Sequence, residues 1–280
     1  MRRGDFIAAW KISDDVLAKS LAAGHSWHLS RHEQWVWDGR GLSGRAVLVR
    51  CYHGLGDTIQ FARFLPKLQA IAGQTTVWAQ PTLLPLLETM RLSARLLPLH
   101  DGDPEVDYEA DIEIMELAHA LRITPNSLAT AVPYFHVTSA PRLSTRFSVG
   151  VLAQAGSWDA TRSIPADILD LQVPGVDLLS LQIASALPGM VDASTSDILT
   201  LASRLKALDL VITVDTMLAH LAGSLGVPTW VLLPAEPDWR WMQGRSDSPW
   251  YPSMCLFRQE QPGEWNTVVN EVRARLACVR

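Results

Sequence analysis

The sequence is poor in the features that mark secreted, membrane-spanning and zinc-binding proteins. Its 280 residues include only three cysteines, Cys51, Cys255 and Cys278, and no CxxC pair. An odd number of widely spaced cysteines fits reduced thiols better than a disulfide framework or a zinc site. The N-terminal apolar stretch from Phe6 to Trp10 is too short for a signal peptide or a membrane span. We therefore expect a cytoplasmic protein without a transmembrane segment.

An excess of positive charge is also absent. The chain has 24 Lys and Arg residues against 29 Asp and Glu residues, for a net charge of -5. This balance argues against a nucleic-acid partner, although it leaves room for a local basic pocket that binds phosphates. The sequence shows no repeat of solenoid length and no low-complexity tract, and 48% of its residues are hydrophobic. A chain of this length can bury one large core or two modest ones.

Strand and helix patterns alternate from residue 45 onward, which is typical of βαβ units and predicts an α/β protein. The interpretation is a pair of Rossmann-like domains that face each other across a cleft. The predicted parts are an appended segment at 1–44, a first domain at 45–140 and a second at 141–280, whose last helix could pack back on the first. Predicted strands are Ala46–Cys51, Thr75–Ala79, Arg95–Leu97, Phe147–Ala153, Val176–Leu181, Leu210–Val214, Val231–Leu233 and Ser253–Arg258, and predicted helices include Thr58–Ala72, Thr82–Met90, Asp167–Leu171, Ser196–Leu208 and Glu264–Leu276.

The stretch from Leu208 to Pro234 predicts a strand, a turn, a helix and another strand. The apolar run Leu210–Val214 ends abruptly at Asp215 and Thr216, and apolar residues at helical spacing follow. In a parallel sheet, ligands bind at the carboxyl ends of the strands, and the unpaired N–H groups of a helix start favour anions. We expect a phosphate seat at Asp215 and Thr216.

A second glycine-containing loop joins the first strand to the first long helical pattern. Gly54 and Gly56 would let the backbone approach a ligand, but the full GxGxxG dinucleotide fingerprint is absent. Asp57 has two interpretations. It either caps the helix or, held ionised by the helix dipole, accepts a proton from an acceptor hydroxyl as a general base.

Other polar and aromatic groups are weaker candidates. Asp101-Gly102-Asp103 matches an Asp-x-Asp metal motif, but its polar loop is typical of solvated turn residues. The histidines at 25, 28 and 32 lack an anchoring acid or cysteine, so no metal site is expected. A cluster of aromatic and charged residues suits stacking on a sugar or nucleobase and suits interdomain packing about equally; it comprises Asp238, Trp239, Arg240, Trp241, Arg245, Trp250 and Tyr251.

Several motifs together resemble glycosyltransferase family 9. They are Trp37-Asp38-Gly39, the stretch Gly54–Leu68, Arg162-Ser163-Ile164-Pro165, the stretch Val214–Pro234, Asp238-Trp239-Arg240-Trp241 and Ser248-Pro249-Trp250-Tyr251-Pro252. This group includes the ADP-heptose lipopolysaccharide heptosyltransferases, and the motifs are still more similar to the glycosyltransferase-like domains attached to tetratricopeptide repeats. The resemblance covers most of residues 35–277. It implies the GT-B architecture, with the nucleotide-sugar donor held mainly by the second domain.

The resemblance assigns roles to individual residues. It implies that Asp57 is the catalytic base and that Arg162 binds the donor phosphates. The family's Asp-Thr-x-x-x-His element, which belongs to the donor site, falls on Asp215, Thr216 and His220, with Met217 between them at the helix start. Gln182, at the edge of a neighbouring strand, would contact the nucleoside. His220 has a second interpretation, because a lone helical histidine is commonly a packed structural group.

The implied activity is sugar transfer from a nucleoside diphosphate sugar to a hydroxyl, with inversion and without a metal or other cofactor. An ADP-linked, heptose-like donor is favoured, and the acceptor could be a glycan, a lipid-linked molecule or a protein. The family's best-known setting, lipopolysaccharide biosynthesis, adds a peripheral position at the inner membrane to the cytoplasmic expectation. Two alternatives stay open: a non-catalytic nucleotide-sugar-binding module that acts through a partner, and a nucleotide-sugar epimerase.

Overall fold

The protein folds into two compact units. The computed structural model describes residues 1–24, 26–128, 132–156, 159–183 and 185–279. Met1 and Arg3–Phe135 form the first unit, and Arg2 and His136–Arg280 form the second. The division falls a few residues before the boundary that the sequence indicated at 140, and the 1–44 segment packs as part of the first unit.

The first unit is built around a parallel sheet of four strands. The strands are β1 (Ala46–Arg50), β2 (Gln74–Ala79), β3 (Arg95–Pro98) and β4 (Ala110–Glu113), in the spatial order β3-β2-β1-β4. The helices are α1 (Phe6–Ala23), α2 (Leu55–Ala62), α3 (Leu65–Gln69), α4 (Leu84–Glu88) and α5 (Leu117–Ala120), with 3₁₀ turns at Arg31–Glu33, Pro81–Leu83, Ile114–Glu116 and Pro125–Ser127. The chain leaves β1 toward β2 on one side and later returns to place β4 on the other.

The second unit repeats this plan with six parallel strands. They are β5 (Phe147–Leu152), β6 (Val176–Ser180), β7 (Val191–Asp192), β8 (Leu210–Val214), β9 (Thr229–Leu233) and β10 (Met254–Arg258), in the order β10-β9-β8-β5-β6-β7. The helices are α6 (Ile198–Leu205), α7 (Met217–Ser224) and α8 (Trp265–Cys278), with 3₁₀ turns at Ala160–Arg162 and Trp239–Trp241. Strand order reverses between β5 and β8, where open α/β sheets bind ligands.

Helix α1 gives the N-terminal segment a definite structure that the sequence did not predict. The Asp5 carboxylate accepts a hydrogen bond from the N–H of Ala8 at 2.9 Å, which caps the helix start. At the other end Gly24 adopts a φ of 90°, which a residue with a side chain rarely adopts. The buried Trp10 ring stacks on His119, and its indole N–H donates to the carbonyl of Ile123 at 2.8 Å. These contacts anchor the helix to the first unit.

Two predicted helices differ in the structure. The single helix expected at Thr58–Ala72 is divided into α2 and α3, because Pro66 has no N–H to donate to the carbonyl of Ala62. The short helix expected at Asp167–Leu171 is a turn. The Asp170 carboxylate accepts the N–H of Gln172 at 3.3 Å, and the Asp170 N–H donates to the carbonyl of Ile168 at 2.9 Å; such local bonds compete with the helical pattern.

The core of the second unit joins the sheet to α8. Trp265, Val268, Val269, Val272 and Leu276 lie along one face of this helix and are buried in the same cluster as the strand residues. The apolar face that the sequence indicated is therefore used within the second unit.

All three cysteines are free thiols, as expected from their spacing. Burial raises the pKa of the Cys51 thiol well above its ordinary value. No helix in the described part of the chain is both long enough and apolar enough to cross a membrane.

Helix α7 depends on a glycine for its close packing. A Cβ at Gly223 would lie 2.5 Å from Cγ of Tyr251, whose ring is fully buried. We expect Gly223→Ala to lower the free energy of unfolding by about 1–3 kcal/mol, because the ring cannot move without disturbing the core. Chemical denaturation would measure the change. Gly41→Ala is the matched control, since a Cβ there meets nothing within 4 Å; equal losses in both variants would contradict the packing argument.

Candidate functional site

The residues that the sequence indicated as a phosphate seat lie at the carboxyl end of β8. All five residues of this strand are buried, and Asp215 and Thr216 follow directly. Thr216 has an extended backbone and is the N-cap of α7, with its hydroxyl accepting the N–H of Leu218 at 3.3 Å. Met217 is half-buried as the first residue of the helix. The start of α7 therefore points its N–H groups toward the strand-order switch point, where they favour an anion.

Arg162 joins this helix start from a distant part of the chain. Its guanidinium Nη1 donates to the backbone carbonyl of Asp215 at 2.7 Å, and the side chain is buried. Nε lies 3.4 Å from Oδ2 of Asp159, the N-cap of the same 3₁₀ turn. The structure therefore brings Arg162 together with Asp215 and Thr216.

The Asp215 side chain lies in an unusual electrostatic environment. Burial raises its pKa from 3.8 to about 6. The neighbouring Trp241, Arg162 and Arg240 groups favour the charged carboxylate, whereas the charge of Asp238 disfavours it. A carboxyl group that readily becomes neutral is compatible with an anion nearby, because it then adds little repulsion.

Arg240 brings a second positive charge near Asp215. Its side chain is buried, stacks on Trp239 at 5.0 Å and donates through Nη1 to the Asp238 carboxylate at 3.0 Å. Sequence reasoning placed Arg240 only in a general aromatic cluster. The available sequence signal for a role of Arg240 was its position shortly after β9, because residues that follow a parallel strand lie at the ligand-binding edge of the sheet.

His220 is packed into the second unit. Its Nδ1 lies 3.0 Å from the hydroxyl of Tyr251, and its ring stacks on Trp241 at 5.5 Å. The side chain is buried, so this environment favours the structural interpretation of the histidine. Through Trp241, His220 supports the ring that lies beside Asp215.

Gln182 connects two neighbouring strand ends. Its Oε1 accepts the N–H of Gln154, just beyond β5, at 3.0 Å. Gln154 in turn donates to the carbonyl of Ile164 at 2.7 Å, and the hydroxyl of Ser163 accepts the N–H of Ala155 at 2.9 Å. These bonds hold the segment that carries Arg162 against the edge where β5 and β6 end.

The glycine loop of the first unit leads from β1 into α2. Gly54 is the N-cap, Gly56 is the second helical residue and Asp57 is the third. Oδ2 of Asp57 accepts the N–H of Gly54 at 3.0 Å, so the carboxylate caps the helix from within its first turn rather than as the N-cap itself. This contact satisfies the capping interpretation and holds the carboxylate in place.

A His–Glu pair lies beside this loop, and sequence reasoning missed it. Nδ1 of His53 is 3.0 Å from Oε1 of Glu113, which is buried at the end of β4. The Gln80 amide donates to the carbonyl of His53 at 2.7 Å and accepts from the Thr58 hydroxyl at 3.0 Å. The available sequence signal was a polar residue at or just beyond the end of each strand, since Glu113 is the last residue of β4 and His53 lies three residues after β1.

The metal candidates do not assemble into a site. Among the residues that the structure describes, no three His, Cys, Asp or Glu side chains lie close enough together to hold a metal ion. Asp101 and Asp103 are both exposed in a loop where Gly102 accepts from Arg31 and donates to His100. His25 lies outside the described residues.

Comparison with known proteins found a relative by sequence and several solved structures with a similar fold. No family model matches the sequence. Protein FlbA of Caulobacter vibrioides is 26% identical in an alignment of 288 positions that covers 86% of this chain. The chain spans 48% of that relative, or about half its length.

Several solved structures with a similar fold are glycosyltransferases. A glycosyl transferase of family 9 from Veillonella parvula superposes with a TM-score of 0.55 over 79% of this chain and 88% of its own. The heptosyltransferase WaaC of E. coli, with ADP-2-deoxy-2-fluoro heptose, gives 0.52 over 82% and 99%. The iron-containing dodecameric glycosyltransferase TibC of E. coli H10407 gives 0.57 over 85% and 77%. Each is 13% identical to this chain.

The chain has the heptosyltransferase-like GT-B fold. This confirms the α/β class and the fold that the motifs implied. At this level of identity the property that the chain shares with these enzymes is the fold, so the activity must be argued from the residues of the site.

The raised pKa of Asp215 predicts how a variant changes stability with pH. Because the folded state binds this proton more tightly than the unfolded state does, the charged carboxylate costs stability increasingly as pH rises from about 4 to above 6. We expect Asp215→Asn to raise the free energy of unfolding at pH 8 by about 2–3 kcal/mol, since one pKa unit corresponds to about 1.4 kcal/mol. The gain should vanish near pH 4. Denaturation across this pH range would measure it.

Asp209 is the control, because the change in stability expected for its asparagine variant has the opposite sign. Its hydrogen bond with Arg142 lowers its pKa to about 2, so Asp209→Asn should lose stability at neutral pH, and the loss should shrink as pH falls through 2. If both variants changed stability in the same direction, the description of Asp215 as a strained buried carboxyl would be wrong.

Proposed function

We propose that the protein is a glycosyltransferase that moves a sugar from a nucleoside diphosphate donor to an acceptor hydroxyl with inversion. The observation that carries this proposal is the convergence of Arg162 on the start of α7, at the strand-order switch point of a heptosyltransferase-like fold. A diphosphate fits this place because a buried guanidinium and helix N–H groups both stabilise negative charge.

The donor in this proposal is ADP-linked and heptose-like. Support comes from the similar fold of WaaC, whose structure contains ADP-2-deoxy-2-fluoro heptose. Gln182, Met217 and Thr216 lie on the strand ends and helix start around Arg162 and form the rest of the proposed donor site. His220 contributes by supporting Trp241.

The chemistry needs one proton acceptor and one stabiliser of the leaving group. Asp57 removes the proton of the acceptor hydroxyl as its oxygen attacks the anomeric carbon from the face opposite the diphosphate. The bond between the anomeric carbon and the diphosphate oxygen breaks, and Arg162 with the α7 N-terminus stabilises the departing nucleoside diphosphate. Inversion follows from a single displacement. This proposal gives no role to a metal, so we expect turnover to persist in the presence of a chelator.

A non-catalytic nucleotide-sugar-binding module is the second candidate. The observation that favours it is the use of the Asp57 carboxylate as a cap for α2, a role that needs no chemistry. Donor binding without turnover by the wild-type protein would support this candidate.

Arg162→Met tests the donor site directly. We expect calorimetry to show that the Kd for ADP rises about 10- to 100-fold, because a charge-assisted hydrogen bond to phosphate is lost. UDP, GDP, CDP and dTDP should bind more weakly than ADP to the wild-type protein. Arg146→Met is the matched control, because Arg146 pairs with Asp177 near the opposite ends of the strands. An unchanged Kd in Arg162→Met would place the nucleotide elsewhere.

Asp57→Asn separates catalysis from capping. The amide oxygen of asparagine can still accept the N–H of Gly54, so we expect stability and the Kd for ADP to stay near the wild-type values. Release of ADP from ADP-heptose should fall at least about 100-fold, since general-base catalysis contributes about 10²–10⁴. A fall in turnover that comes only with parallel losses of stability and of ADP binding would assign the effect to the start of α2 and not to a base, and full turnover would exclude Asp57 as the base.

A further inference from the structure

A pocket of about 640 Å³ opens in the first unit, and its lining residues are different from those assigned to the proposed chemistry. Its walls come from the second half of α1, from two stretches at 26–29 and 35–40, and from Asp111 on β4. Sequence reasoning described residues 1–44 only as an appended segment. The structure shows that this segment forms nearly all of a ligand-sized cavity.

Two exposed indole rings face this pocket. Trp27 and Trp35 are each 44% exposed, the largest values among the tryptophans that the structure describes, and both line the cavity. Leu21 and Leu29, also exposed, line it with them. Exposed apolar residues concentrated in one concave place mark a binding site more often than the same residues scattered over a surface.

The backbone of Trp35 and the ring of Trp27 each have a contact that positions them. The Ser26 hydroxyl accepts the backbone N–H of Trp35 at 2.9 Å and lies 3.3 Å from the backbone carbonyl of the same residue. The Trp27 ring lies 5.3 Å from the guanidinium carbon of Arg50. A tryptophan whose backbone or ring is already positioned loses less conformational freedom when a ligand stacks on it.

Hydrogen bonds to Glu116 attach the pocket wall at residues 35–37 to the rest of the first unit. The carboxylate accepts the N–H of Trp37 at 2.9 Å and the N–H of Val36 at 3.4 Å. It also accepts the N–H of Glu113 at 2.9 Å, which ties the wall to the end of β4. The cavity is therefore preformed rather than assembled by a ligand.

Planar polar groups lie beside the indole rings. Asp38 and Arg40 form an ion pair with Nε 2.7 Å from Oδ2, and both side chains are partly exposed. The Asp111 carboxylate accepts from Nε of Arg50 at 2.9 Å and keeps 19% of its side chain exposed. Each pair presents acceptors and donors in fixed positions to a ligand.

The charged and aromatic residues that line the pocket indicate the class of ligand that it binds. The two carboxylates, Asp38 and Asp111, are each paired with a guanidinium group, so the lining offers no excess positive charge to a phosphate, and the charged pairs disfavour a lipid chain. A carbohydrate ring has one apolar face that stacks on an indole and a rim of hydroxyl groups that bond to carboxylates and guanidinium groups. The volume lies within the range of about 300–1,000 Å³ of small-ligand sites.

We propose that this pocket binds a neutral carbohydrate and that this carbohydrate is part of the acceptor, so that the acceptor is a glycan. The acceptor role rests on the proposed glycosyltransferase function, whereas carbohydrate binding does not. Trp35 and Trp27 supply the stacking faces. Asp38, Arg40 and Asp111 bond to the hydroxyl groups.

Saturation-transfer difference NMR tests the pocket with a panel of methyl glycosides of glucose, galactose, mannose, N-acetylglucosamine and L-glycero-D-manno-heptose. We expect saturable binding of at least one glycoside by the wild-type protein. Trp35→Ala should weaken it about five- to tenfold, the size of one aromatic contact, and Trp35→Phe should retain part of it. Ile12→Ala is the matched control, because Ile12 is exposed on the same helix but does not line the pocket.

The outcomes separate the pocket from the proposed function. The Kd for ADP should be the same in the wild type, Trp35→Ala and Ile12→Ala. Glycoside binding without any nucleotide binding would keep the pocket and overturn the proposed function. Nucleotide binding with no saturable glycoside binding, or glycoside binding that Trp35→Ala leaves unchanged, would overturn the pocket proposal.

Discussion

The hydrogen bond from Arg162 to the carbonyl of Asp215 is the interaction on which the account of the second unit depends. It joins a turn that follows β5 to the end of β8, across the place where the strand order reverses. The same bond brings a buried positive charge to the start of α7. Without it, the strand-order switch point would offer helix N–H groups alone, a weak site for a doubly charged ligand.

Charge balance lowers the electrostatic cost of gathering these charged groups around Asp215. Arg162 and Arg240 both lie near the Asp215 carboxylate, while Asp159 and Asp238 pair with the two guanidinium groups. Burial nevertheless keeps the pKa of Asp215 near 6. The carboxyl group can therefore take up a proton when an anion arrives, which lowers the electrostatic cost of binding.

Much of the fold could be predicted because several strands are short apolar runs, and two of them end sharply, β8 at Asp215 and β9 at Pro234. Leu210–Val214 and the helix after it match the structure closely. The prediction was wrong at Thr58–Ala72 because helical spacing continues past Pro66, whose missing N–H is a local backbone effect. It missed α1, whose two buried anchors, Phe6 and Trp10, are too few to produce a clear periodic pattern.

The site was predictable where it follows strand ends and not where it depends on contacts distant in sequence. Asp215 and Thr216 could be placed from the strand and helix around them. The pairing of His53 with Glu113 spans 60 residues and follows from sheet order, which sequence patterns do not specify. The pocket beside Trp35 likewise needs α1, the loop and β4 together.

The most direct test of the central claim is a ¹³C NMR titration of the Asp215 carboxyl group, assigned with Asp215→Asn, in the absence and presence of saturating ADP. The account predicts a pKa of about 6 in the free protein and a higher pKa when ADP is bound, because the diphosphate disfavours a second negative charge beside it. A pKa that ADP leaves unchanged, or lowers, would contradict a diphosphate site at the start of α7.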